Sequence, residues 1–437
     1  MDMYNEPSRD IPIAGCYDVI VVGGGPAGFG AACAAARAGV RTLLIEQSGG
    51  LGGVATMGLM SHWTGNTFGP ILDELRERAK DTSQDFNYFG DKVLKSFNII
   101  HPEKTKLAMM EMLQEAGAQW RLFTFASDVI VEDGTVKGII VESKNGRQAL
   151  KARVVIDASG DGDIAAAAGV PFHMGRETDG AMQPMTVMFK IGGVDFERAV
   201  FPGEFDDEIL INGTSIQQLG RDNLASPNGH VLLYPSSMPG VVTVNMTNSL
   251  MKNGTSAEDL TQADLECRQQ IPKILEFIKS NIPGYEKAFV MQAAAAIGVR
   301  ETRHFEGAYT LTEDDILQAK VFEDWIATQC WFNFDVHNMS GSGLDESGNQ
   351  KEFHQTKGYT IPYRSILPQN VEGLLLAGRN LSGTHMAHSN YRVMPICLNV
   401  GQGAGAAAAL SCQKDCSLRD LNPIAIQALL NEQGVTL

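Results

Sequence analysis

Three features of the sequence predict an α/β fold built on a parallel sheet: a β-branched run ending in a glycine cluster, an Ala-rich stretch after it, and a second apolar run ending in an acid. Tyr17–Val22 is the first run, a short strand of the fully buried kind. It stops at Gly23, Gly25 and Gly28, which match G-x-G-x-x-G. Ala27 to Ala38 then reads as a helix that ends at Gly39. The next strand, Arg41–Ile45, leads into Glu46 at about the distance of 20 residues expected for a ribose-binding acid.

Each element has a physical job in holding a dinucleotide. Gly23 permits the tight turn, Gly25 lets the backbone approach a pyrophosphate, and Gly28 lets helix and strand pack closely. The helix start at Pro26 and Ala27 points free N–H groups at anionic phosphates. Glu46, with Gln47 beside it, is expected to accept hydrogen bonds from the adenosine ribose. A glycine triplet alone signals only a turn, but here strand, helix and acid agree.

Length and composition narrow the class. With 437 residues the chain is long enough for two domains, or for a nucleotide domain with a large insertion. Its 44% hydrophobic and 20% charged residues are those of a globular protein. The net charge of -16, from 51 acids against 35 bases with no Lys/Arg block, repels nucleic acid and anionic membranes. No basic, apolar leader and no bilayer-length apolar run is seen, so a cytoplasmic protein is expected. The seven cysteines are scattered without a CxxC pair, which fits reduced thiols and gives no metal cluster.

Past Glu46 the regular alternation of a nicotinamide-binding fold gives way to Gly49–Thr56, a glycine-rich loop able to lie along a longer cofactor. Contacts are expected there from Gly52, Gly53, Val54, Ala55 and Thr56. Downstream, Val129–Gly134, Val136–Ser143 and Lys151–Asp157 read as a three-stranded antiparallel meander, with hairpin turns at Asp133-Gly134 and Asn145-Gly146. The meander feeds Asp157-Ala158-Ser159-Gly160-Asp161-Gly162-Asp163.

At that point the chain resembles the FAD-dependent oxidoreductases of the glutathione-reductase superfamily, in which a meander replaces a crossover helix and leads into an "ATG"-like strand end, here Ala158-Ser159-Gly160. It is similar more narrowly to a bacterial family known simply as FAD-dependent oxidoreductases. Asp157–Ala165, Val241–Asn248, Ile297–His304 with Leu311–Asp315, and Ile361–Pro368 through Gly405 carry that similarity. The resemblance implies a glutathione-reductase-like FAD-binding Rossmann fold with the meander, plus an inserted α+β substrate domain. It implies FAD contacts at Val129, at Ala158, Ser159, Gly160 and Asp161, and at Gly378, Arg379 and Arg392. The expected division is 15–171 and 356–437 for the FAD domain and 172–355 for the substrate domain.

Within 172–355, strands are expected at Met185–Ile191, Val231–Tyr234 and Val241–Met246, with a helix from Ser256 or Glu258 to Lys279 partly capped by Thr261–Asp264. Segments 203–229 and 337–355 read as long loops. After Pro395, Ile396–Leu410 reads as a helix interrupted by Gly401–Gly405, and Gln402, Gly403 and Ala404 are expected against the flavin, where its dipole and N–H groups meet developing negative charge. Packing against the sheet explains the same glycines equally well.

Candidate chemistry rests on histidines and arginines. Imidazole titrates near working pH and is suited to taking a substrate proton. His385 follows the Gly378-Arg379 strand end and is the favoured base; His388 is a weaker candidate, and His62 is a second one after the glycine-rich loop, with Trp63 as pocket wall or core. Arg300 or Arg303 would anchor an anionic substrate through a forked contact, or else pair with Glu301. Arg364 and Arg392 carry the same two readings.

No His lies between Glu46 and His62, so noncovalent FAD is expected, and without CxxC or a second glycine fingerprint a disulfide reductase or a built-in NAD(P)H domain is not. The leading expectation is dehydrogenation of a sugar, polyol or hydroxy acid by hydride transfer to flavin N5. Reduction of an activated double bond is the rival polarity. A redox-sensing FAD module is the alternative of another class; an RNA-modifying role conflicts with the acidic charge. The electron partner is left open, and a homodimer is permitted.

Overall fold

The computed structural model describes residues 3–60, 62–80, 99–205, 207–348, 355 and 357–437. Its main sheet starts from β1 (Ile13–Val22), followed by helix α1 (Pro26–Arg37) and β2 (Thr42–Ile45). β1 lies between β2 and the strand Gly146–Asp157, parallel to both. Apolar β-branched residues fill this centre because both faces of a parallel sheet are covered. Strand Gln119–Arg121 extends the sheet beyond β2.

Strand Gly146–Asp157 serves two partners. Its first half pairs antiparallel with Thr135–Ser143, which pairs antiparallel with Phe125–Glu132. Its last residues pair parallel with Leu374–Leu376. The registers Val22↔Ile45, Val22↔Asp157 and Leu376↔Asp157 end four parallel strands at one level. In open α/β sheets the carboxyl edge is where ligands bind.

Over one face, α1 crosses the helix Met394–Lys414 at very close range. A Cβ on Gly401 would lie 1.9 Å from the Ala27 carbonyl oxygen, and one on Gly405 would lie 2.2 Å from that of Ala31. These glycines therefore let two backbones touch. The helix runs unbroken through Gly401–Gly405, contrary to the expected interruption, because this contact outweighs the helix cost of glycine, about 1 kcal/mol each. Among the described residues, no single helix is long and apolar enough to cross a membrane.

A second hydrophobic cluster forms between Phe189 and Ala288. Its four-stranded antiparallel sheet orders Leu233–Pro235, Val242–Val244, Phe189–Gly192 and Phe289–Ala293, and the helix Ala257–Asn281 supplies Ile271, Ile274, Phe277 and Ile278 to the same cluster. Ser256 caps that helix by accepting from the Asp259 N–H, whereas the Thr261 hydroxyl donates to the Ala257 carbonyl; the expected cap at Thr261–Asp264 is corrected. Segment 203–229 is not one loop, for it holds a short hairpin and the helix Ile216–Asn223. Part of the other expected loop, 349–354, lies outside the described residues.

The chain does not pass from one core to the other at residue 355. Phe305, Leu311, Phe322, Trp325, Ile326 and Phe334 already pack into the first cluster. Strand Trp325–Trp331 pairs with Tyr359–Pro362 and with Asn66–Phe68. Three-stranded pairing with segments on both sides draws this stretch back to the nucleotide-binding part.

Candidate functional site

The turns directly after the four aligned strand ends all contribute to one cavity of about 590 Å³. Gly23, Gly25, Pro26 and Ala27 line it after β1, Glu46 and Gln47 after β2, Ala158 to Asp161 after the third strand, and Gly378 and Arg379 after the fourth. Gly53 and Val54 come from the glycine-rich loop, which is tied to the first turn by the Gly52 N–H donating to the Gly24 carbonyl at 2.7 Å. The volume falls within the range of about 300–1,000 Å³ usual for cofactor and ligand sites.

The glycines divide by what a side chain would meet. On Gly28 a Cβ would lie 1.8 Å from the Gly23 carbonyl oxygen, so this residue is needed by the fold itself. On Gly25 it would meet nothing within 4 Å, although Gly25 lines the cavity. A glycine kept where the protein leaves space fits a backbone that an outside group must approach closely. With the α1 N-terminus beside it, the position suits an anion such as a pyrophosphate.

Glu46 holds its own corner of the site. Its two carboxylate oxygens accept from the Gly24 N–H and the Ser48 N–H, both at 2.7 Å. Lone pairs remain for a ribose, so the acid braces the loop as well as lining the cavity. Opposite, Arg379 donates to Asp161 at 2.6 Å while its Nε has no hydrogen-bond partner among the described residues.

Several residues expected at the cofactor lie away from the cavity lining. Ala55 and Thr56 turn into the core, where the Thr56 hydroxyl donates to the Leu51 carbonyl, and Gly52 serves the turn. Val129 is held in the meander opposite Ile139. Gln402 faces Gln433, a Cβ on Gly403 would strike Ile326, and Ala404 is fully buried. The helix reaches the cavity instead with its first turn, through Val393, Met394 and Cys397.

His385 and His388 likewise lie off the cavity lining. After Arg379 the chain is drawn inward by Asn380, whose amide donates to the Asp157 carbonyl at 3.0 Å. The helix His385–Tyr391 therefore buries both imidazoles beneath the site: His385 donates from Nδ1 to Glu301 at 2.6 Å, and neither ring lines the cavity. Arg303 pairs with Asp163 and Arg364 with Asp324, also off the lining. The expected Arg–Glu pair is absent among the described residues because Glu301 is taken by His304 and His385.

His62, Arg300 and Arg392 do line the cavity. His62 stacks obliquely on Tyr234, with ring centroids 5.1 Å apart, and burial lowers its pKa to about 4. Arg392 pairs with Asp335 at 2.9 Å. Burial pushes the Asp335 carboxyl up, but His337, Arg392 and Arg300 outweigh it and hold the group well below its usual range. Arg300 donates to the Thr186 hydroxyl at 2.7 Å and to the Pro184 carbonyl, and no carboxylate lies within ion-pair distance among the described residues.

Tyr234, Asn245, Asp335 and His337 were not expected from the sequence. A signal existed for two of them. In the second sheet Leu233, Val242 and Val244 face the apolar cluster, so period-two alternation turns Tyr234 and Asn245 to the opposite face, toward the cavity. The two glycine roles give a direct test: Gly25→Ala should keep its thermal midpoint without cofactor yet bind FAD at least about tenfold more weakly, while Gly28→Ala should fail to fold or melt far lower. Thermal unfolding with and without added FAD, plus flavin titration, distinguishes them.

Comparison with known proteins supplies the family. Residues 18–430 match the family model described as FAD dependent oxidoreductase. Over 153 residues the chain is 29% identical to digeranylgeranylglycerophospholipid reductase 2 of Methanopyrus kandleri, covering 33% of this chain and 37% of that protein. Over 125 residues it is 35% identical to thiamine thiazole synthase of Aeropyrum pernix, covering 28% and 43%. The chain thus spans less than half the length of these curated relatives. A geranylgeranyl bacteriochlorophyll reductase-like structure from Thermoplasma acidophilum aligns with a TM-score of 0.49 and 16% identity over 95% of this chain and 83% of that one. From the family match over nearly its whole length, this chain belongs to the FAD dependent oxidoreductase family, and FAD is its cofactor.

Proposed function

We propose that this FAD-dependent oxidoreductase dehydrogenates a small hydroxy acid. The observation that carries the reading is Arg300: buried, lining the cavity, and without a carboxylate partner among the described residues. A buried guanidinium in that state has unmet demand for an anion, and a carboxylate answers its forked geometry. This selects the acid from among sugars, polyols and hydroxy acids.

FAD bound along Gly23–Gly28, Glu46 and Gly378–Arg379 supplies the hydride acceptor. Arg300 grips the substrate carboxylate and fixes the carbon that is oxidised. His62, neutral at working pH because burial depresses its pKa, accepts the hydroxyl proton. Asp335 pairs directly with Arg392 and acts on Arg300 only from beyond ion-pair distance, leaving the Arg300 fork open to a carboxylate. The meander and the shared strand level support a glutathione-reductase-like nucleotide domain, and the lack of a histidine between Glu46 and His62 supports noncovalent FAD.

The reverse polarity, hydride delivery to a double bond beside a carboxylate, would use the same Arg300 and is favoured by the reductase named among the relatives. The proton separates the two. Oxidation needs neutral His62, so activity should hold as pH falls past 6.5 and be lost only through about 4. A reductase with His62 as donor needs the charged ring, and its rate would climb as pH falls. The pH profile of kcat/KM decides.

Substitution tests the anchor separately. Arg300→Ala should lower kcat/KM for a hydroxy acid by about 100-fold, about 3 kcal/mol, mainly through KM. Arg300→Lys should recover part of it, since charge returns without the fork. Unchanged steady-state kinetics in Arg300→Ala would remove the anion anchor.

A further inference from the structure

Below the cavity, Glu301, His304 and His388 each present one ligand atom, all within 4.8 Å of one another, and all three residues are almost wholly buried. His304 Nδ1 lies 3.0 Å from the Gly383 carbonyl, which only accepts, so that nitrogen carries the proton. Its Nε2 stands 2.8 Å from Glu301 Oε1. In a neutral ring, a lone pair then faces a carboxylate oxygen, and a cation must lie between them. His385 Nδ1 reaches the same oxygen at 2.6 Å, and its Nε2 has no partner among the described residues.

His388 decides which cation. Its Nδ1 has no hydrogen-bond partner among the described residues and the side chain is 2% exposed, so a buried ring nitrogen is left to serve as a ligand. A proton on His304 would settle the Glu301 contact and leave the His388 Nδ1 without a partner. An ion held by all three satisfies both.

We propose that Glu301, His304 and His388 bind one divalent transition-metal ion, with His385 holding the glutamate in place. Imidazole and carboxylate donors suit zinc, iron or manganese. The His304–Gly383 bond is the outer contact that fixes a ligating ring and its tautomer. None of the three ligands lines the cavity, so the role is structural. The ion would tie the segment that carries Arg300 to the helix His385–Tyr391, next to the third and fourth cofactor segments.

Elemental analysis of the full-length FAD-bound protein, after dialysis against Zn2+, Mn2+ or Fe2+ and gel filtration in chelator-free buffer, tests this. About one equivalent should remain, with X-ray absorption showing nitrogen and oxygen ligands at about 2.0–2.2 Å. His388→Ala removes a ring whose Nδ1 has no hydrogen-bond partner among the described residues, so it should keep its circular dichroism and flavin content while losing metal affinity at least about tenfold. Glu301→Gln should lose the ion as well. Only trace metal in the wild-type protein, or stoichiometric metal that both substitutions leave in place, would overturn the site and leave a proton-held Glu301–His304 pair.

Discussion

The fully buried Asp157 is where the site is assembled. Its backbone sits in register between Val22 and Leu376, so two parallel strands end against it. Its carboxylate accepts from the Ser159 N–H and hydroxyl and from the Ala165 N–H, which shapes the Ala158–Asp161 turn. Its carbonyl accepts from the Ala377 N–H and the Asn380 amide. Burial raises the side-chain pKa to about 6, and hydrogen bonds from Ser159 and Ala165 oppose that rise. One residue thus sets the level at which Gly23, Ser159 and Gly378 face the cavity.

The second constraint is backbone contact between helices. Gly401 and Gly405 let the helix Met394–Lys414 lie directly on α1, which fixes α1 over the sheet and holds its N-terminus at the cavity lining. The same packing keeps Gln402, Gly403 and Ala404 away from the cavity lining. The glycines therefore position the cofactor site by bringing helices together, and only the first turn of the long helix borders the ligand space.

The nucleotide-binding part was legible because its signals are local. Strand, G-x-G-x-x-G, helix and terminal acid lie within one short stretch, and Asp133-Gly134 with Asn145-Gly146 announce the meander's turns. What escaped is long-range. Nothing near His385 in sequence shows that Asn380 pulls the chain under the sheet, or that Glu301 waits there to take the imidazole. The return of residues 305–334 to the first core depends on pairing with Tyr359–Pro362 and Asn66–Phe68, far away in the chain. Arg300 and His62 were candidates beside Arg303 and His385; that the first two line the cavity and the other two do not depends on contacts distant in sequence.

Electrostatics then separate two parts of the cavity lining. Part of the lining carries backbone N–H groups and Arg379 paired with Asp161, and another part carries Arg300 and the Arg392–Asp335 ion pair; in the proposed reading the first would meet phosphates and Arg300 the substrate. The most direct test is an anaerobic visible spectrum of the FAD-bound protein before and after adding hydroxy acids, with uncharged sugars and polyols in parallel. Bleaching of the flavin by a hydroxy acid alone is the predicted result. Bleaching by uncharged polyols, or none by any hydroxy acid, would contradict an anion-anchored dehydrogenase.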